Sequence, residues 1–79
     1  MDQDQVRTHL SVVHATVEQV LPSFGVAYLS DDEAHEWAVT RTTPGHDASL
    51  AALTPGQRVQ LMVEHYPAFS VVSEWGCLD

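Results

Sequence analysis

Five histidines, His9, His14, His35, His46 and His65, stand among eleven carboxylates in this chain of 79 residues. Imidazole and carboxylate are common ligands of zinc and other divalent metals, so metal binding is the first chemistry to consider. Structural zinc sites draw on Cys/His sets at fixed spacings such as C-x₂-C or H-x₃-H. Here His9 and His14 are five residues apart and Cys77 is the one cysteine. His35 follows Asp31-Asp32-Glu33 and precedes Glu36, and His46 precedes Asp47. These read as solvated acidic turns with a stray histidine, so neither a metal nor another cofactor is expected. Nucleophilic catalysis has no better support. No serine sits in a G-x-S-x-G elbow, and Cys77 falls in an expected tail, where little can lower a thiol pKa. Pro44-Gly45 and Pro55-Gly56 are isolated turn signals, with no phosphate-cradling glycine pattern around them. The chain therefore reads as a non-enzyme.

Rings and cations are the other chemistry to weigh. Arg7, Arg41 and Arg58 are the only strong cations; lysine is absent, and the net charge is −8 with histidines neutral. Nucleic-acid binders gain much of their affinity by displacing counterions from phosphates, and this chain has few groups to do so. Its acidity serves solubility in the simplest reading. Trp37 and Trp75 read as core side chains or barrel-end plugs, since large rings are usually buried.

The elements that must position these groups are mostly strands. Val6 to Leu21 carries two patterns. Val6, Leu10, Val13, Val17 and Val20 have helical spacing, whereas Val13, Ala15 and Val17 alternate with His14 and Thr16. The many β-branched residues favour a long first strand. Leu21-Pro22-Ser23 turns the chain, and Phe24 to Ser30 forms the second strand. Asp31-Asp32-Glu33 is expected as a solvated turn, because adjacent carboxylates repel and prefer water. His35 to Thr42 forms the third strand, with Trp37 and Val39 on one face. Asp47 or Ser49 caps a short helical turn that runs through Leu53 and stops at Pro55-Gly56. Gln57 to Tyr66 forms the fourth strand, with Val59, Leu61 and Val63 inward, and Phe69 to Trp75 the fifth.

The expected fold class is therefore all-β: a small five-stranded OB-type barrel with a short helical turn between strands three and four. The alternative is an α+β domain in which residues 4–21 form a helix on a four-stranded sheet. Length sets a single domain over residues 1–79, with 1–5 and 76–79 as flexible tails. A chain this short buries only about 60% of its unfolded surface, so its stability margin is thin. One cysteine cannot form an intrachain disulfide. No apolar run approaches the roughly 20 residues that span a bilayer, and MDQDQVRTH lacks the basic start and apolar core of a signal peptide. The expected location is cytoplasmic, with no membrane association.

Ala15 to Leu29, ATVEQVLPSFGVAYL, resembles the first hairpin of the cold-shock domain, an OB-fold family whose pattern there is approximately G-T-V-K-W-F-N-x-x-K-G-F-G-F-I. Thr16, Val17 and Gly25 match outright, and Val20, Tyr28 and Leu29 keep the apolar or aromatic character. Leu53-Thr54-Pro55-Gly56-Gln57-Arg58-Val59 is similar to the family's L-x-x-G-Q-x-V, and Asp31-Asp32 stands where the family has its acidic turn. The resemblance implies single-strand nucleic-acid binding by base stacking on rings of strands one to three, flanked by lysines. This chain departs from that pattern at the positions that would do so. Glu18 and Phe24 replace the lysines, Gln19 replaces the first-strand Trp, and Val20 and Val26 replace phenylalanines. Trp37-Ala38-Val39-Thr40 is most similar to the third-strand V-F-V-H. Only Tyr28 keeps a stacking ring on the implied face. Each stacked base contributes about 1–3 kcal/mol, so tight nucleic-acid binding is not expected.

An apolar strip, Val20, Phe24, Val26 and Tyr28, remains where the family has a basic aromatic one. Such strips often mark protein contacts. The expected function is a non-enzymatic cold-shock-like binding module whose partner is an unknown protein or a second copy of the chain. One alternative is residual single-stranded RNA or DNA binding through Tyr28, Arg41 and Arg58. Another is an acidic mimic of nucleic acid seated in a partner's basic groove.

Overall fold

A computed structural model describes residues 9–45 and 49–78. Five strands make one antiparallel sheet: β1 (His9–Leu21), β2 (Val26–Asp31), β3 (Glu36–Thr40), β4 (Arg58–His65) and β5 (Ser70–Cys77). The spatial order is β3-β2-β1-β4-β5, so long β1 is the central strand. The sheet curls into a half-barrel of the OB type, and among the described residues the other regular element is a 3₁₀ turn at Leu50–Ala52. The sheet edges β3 and β5 approach at one end. There Gly45 forms an isolated parallel bridge with Trp75, whose backbone N–H donates to the Pro44 carbonyl at 3.0 Å.

The β-branched N-terminal half is strand from His9 onward, which rules out a helix over those residues; the expected start at Val6 lies outside the described residues, as does Asp47. Ser49 stands at the N-cap position of the 3₁₀ turn without a side-chain capping bond. The expected flexible tail at 76–79 is partly corrected. Gly76 and Cys77 pair with Gln60 and Val59, and the Leu78 N–H donates to the Arg58 carbonyl.

Alternation explains the core. Ala15, Val17, Ala27, Leu29, Val39, Val59, Leu61 and Val63 line the concave side, closed by Leu50, Leu53 and Trp75. The expected inward row of β4 is thus in place, and Ala27 and Leu29 form the corresponding row of β2. Trp75 is a core residue, although its indole N–H lacks a hydrogen-bond partner. A buried unpaired donor costs about 1–3 kcal/mol, so packing must be what retains this ring. Trp37 is half-buried against the core edge.

Candidate binding surface

Antiparallel neighbours directly opposite one another share a face. Up to Val17 the pairing of β1 with β2 is regular: Ala15 faces Asp31, Thr16 faces Ser30 and Val17 faces Leu29. The register then shifts, and Gln19 faces Tyr28, Val20 faces Ala27 and Leu21 faces Val26. Glu18 is the extra residue of a β-bulge. One extra residue exchanges the two faces for everything after it. Val20, opposite fully buried Ala27, therefore turns to the concave side and packs against the core. The expectation that Val20 belongs to the outer strip is corrected, and Leu21 takes that place beside Val26. Regular alternation cannot reveal a bulge, so no sequence signal pointed to Leu21.

Phe24 is corrected in a different way. It lies in the β1–β2 turn, not on β2, and projects from the hairpin tip with 78% of its surface exposed. The turn is closed by Phe24 N–H donating to the Leu21 carbonyl and Gly25 N–H donating to that of Pro22, at 3.0 and 3.1 Å. Gly25 has φ +70°, a conformation that favours glycine. The Arg41 guanidinium lies over it, so close that a Cβ there would meet Arg41 Nη2 at 2.6 Å. Tyr28 is exposed and Val26 half-buried on the outer side. The solvent side of this hairpin thus presents Leu21, Val26 and Tyr28, with Phe24 at the tip.

Of the three arginines, Arg7 lies outside the described residues, and Arg41 and Arg58 are both engaged within the barrel. Arg58 donates to both carboxylate oxygens of Asp32 at 3.0 and 3.3 Å and to Thr16 Oγ1 at 3.1 Å. Its hydrogen bonds and positive charge hold the Asp32 carboxyl below the usual carboxylate range. Arg41 reaches the Pro22 carbonyl at 3.5 Å.

Asp31 is not the solvated acid of a turn. It ends β2, and its side chain is only 8% exposed. Oδ2 accepts from Trp37 Nε1 at 2.9 Å, and Oδ1 accepts from the backbone N–H groups of Glu33 and His35 at 2.8 and 2.9 Å. These donors stabilise the ionised form and hold its pKa at about 2, the indole bond contributing most. Asp31 therefore organises the β2–β3 turn and fixes Trp37.

A polar group that sequence reasoning missed lies at the far end of the concave side. His65 is hydrogen-bonded at Nε2 to Ser11 Oγ (2.7 Å) and at Nδ1 to Ser70 Oγ (2.8 Å), with the His9 ring centroid 5.1 Å away. With His35, Glu36 and Trp37, His65 and Ser70 line a cleft of about 400 Å³ between the start of β3 and the β4–β5 hairpin. Register brings these groups together from positions as many as 54 residues apart. Among the described residues, no set of three or more His, Cys, Asp or Glu side chains is placed to hold a metal ion. Cys77 receives a hydrogen bond at Sγ from Gln57 Nε2 at 3.2 Å.

No family model matches this chain, and no curated protein matches it by sequence. Among solved structures it is similar to apo-CusF residues 6–88 from Escherichia coli, solved at 1.5 Å, with a TM-score of 0.63. The match covers 100% of this chain and 96% of that one at 8% identity. The likeness extends over the whole barrel and concerns the fold alone.

Proposed function

We propose that the chain is a non-enzymatic OB-type binding module that contacts another protein, or a second copy of itself, through the solvent side of the β1–β2 hairpin. The observation that carries this reading is the row Leu21, Val26 and Tyr28 leading to Phe24, a ring 78% exposed at the hairpin tip of an acidic barrel. Aromatic side chains supply large contact area at protein interfaces, and exposed apolar patches rimmed by charge mark such contacts. The cold-shock resemblance belongs to this proposal as a scaffold whose stacking rings and lysines have been replaced. A cytoplasmic setting suits the single thiol.

Single-strand binding through Tyr28, Arg41 and Arg58 has less support. Arg58 is shared with Asp32 and Thr16, and Arg41 lies over Gly25. Partner capture with tagged wild type and with Val26→Glu bait tests the proposal. A protein held by the wild type should be absent from the variant. Equal recovery from a Val26→Glu bait that keeps the wild-type melting curve contradicts the assignment of this face.

A further inference from the structure

We propose that the open edge of β1, from Leu10 to His14, docks an extended lysine- or arginine-bearing segment of another protein, added as a strand beside β1. This surface is distinct in residues from the hairpin face proposed above.

The edge arises from unequal strand lengths. β1 has 13 residues and β2 has 6, and their pairing begins at Ala15 opposite Asp31. From His9 to His14, β1 pairs only with β4, from His65 to Gln60. Among the described residues nothing pairs with this stretch on its other side. Backbone direction follows from Val17, whose N–H donates to the Gln57 carbonyl at 2.9 Å and whose C=O accepts from Gly56 at 2.8 Å. Both partners lie on the β4 side, and antiparallel ladders alternate. Ser11, Val13 and Ala15 therefore address β4, while Leu10, Val12 and His14 turn their N–H and C=O groups to the open edge. Natural proteins usually blunt such an edge with lysine, proline or a bulge. Here HLSVVH contains neither lysine nor proline, and Leu10 and Val12 are 58% and 52% exposed. A cleft of about 240 Å³ lies alongside, lined by Val12, Val13, His14, Asp31, Asp32 and Glu33. A new strand there would continue the line of β2 beyond Asp31, the geometry of β-strand addition.

Charge selects the occupant. At the cleft the Glu33 side chain is 81% exposed, while Asp32, 64% exposed, shares its charge with Arg58. A second copy brings a net charge of −8 and no lysine to an edge already flanked by carboxylates. A segment with lysine or arginine on alternate residues brings the complementary charge while its backbone completes the ladder.

The probe is a short capped peptide that alternates lysine with valine and threonine, followed by amide hydrogen exchange and fluorescence anisotropy on the full chain. Slowed exchange at Leu10, Val12 and His14 is expected. Affinity should fall about tenfold or more with glutamate in place of lysine, or with Glu33→Lys in the protein, because like charges at an interface oppose docking. N-methylation of two neighbouring peptide residues blocks one edge-facing N–H in any register and should abolish binding. Val12→Pro should do the same while preserving the β1–β4 ladder, since the Val12 N–H faces the open edge. No binding of the lysine peptide, equal binding of its N-methylated form, or protection confined to other strands overturns the proposal. Concentration-dependent dimerisation that protects the same amides without peptide overturns it too, in favour of a second copy.

Discussion

Asp31 shows how one side chain can gain a role through position. Its neighbours Asp32 and Glu33 make the triplet look like a solvated turn, and two of the three fit that description. The difference comes from Trp37, six residues later, whose indole N–H returns across the turn to Oδ2. That return depends on the pairing of Ser30 with Glu36, which no local pattern reveals. The consequence for pH has a definite sign. The folded pKa of about 2 lies below the ordinary 3.8, so ionised Asp31 stabilises the fold above pH 3.8. That contribution declines as pH falls through the interval between the two values. Thermal melts from pH 5 downward should show this loss, and Asp31→Asn should lower the neutral-pH melting temperature while flattening the acid dependence. An unchanged acid slope in Asp31→Asn contradicts the assignment. In the same turn Ala34 has φ +68°, where an L side chain is strained. Ala34→Gly should raise stability by about 1 kcal/mol, read from urea unfolding.

Among the elements, β2 and β4 were legible and β1 only in part. Val59, Leu61 and Val63 alternate without interruption, and so do Ala27 and Leu29, so period alone identifies the core face. The bulge at Glu18 has no comparable signature, and it moves Val20 inward and Leu21 outward. Gly76 and Cys77 were hidden for another reason: glycine near a chain end resembles a tail, while the β4 ladder supplies its partners. The bulge makes a prediction opposite to simple alternation. Val20→Glu should destabilise by a few kcal/mol, because it aims a charge at the core edge, whereas Leu21→Glu should cost under about 1 kcal/mol. Denaturant midpoints of the two variants decide this. If Leu21→Glu is the more damaging, the bulge is misplaced.

At the scale of the whole molecule, the OB-type half-barrel was legible because five β-rich segments and one brief helical turn fit few other architectures. The proposed binding surface was legible only in outline, since exposure depends on register and on what the edges cover. Charge acts at this scale as well. With three arginines, no lysine and Arg58 bound to Asp32, short single-stranded RNA or DNA should bind more weakly than about micromolar at physiological salt. Submicromolar anisotropy with heptathymidine at about 150 mM salt, where exposed contacts are screened, contradicts that expectation.

The central claim is that the β1–β2 hairpin carries its core on one side and its partner surface on the other. Tyr28 and Leu29 are sequence neighbours with 41% and 0% exposure, so one charge placed at each position separates the two sides. The direct measurement is association, by sedimentation and partner capture, together with thermal melting of wild type, Tyr28→Glu and Leu29→Glu. Tyr28→Glu should remain folded and lose association. Leu29→Glu should unfold, because an unpaired buried charge costs several kcal/mol in a domain whose total stability is of order 5 kcal/mol. A Tyr28→Glu protein that is folded and associates like the wild type, or one that unfolds as readily as Leu29→Glu, contradicts the account.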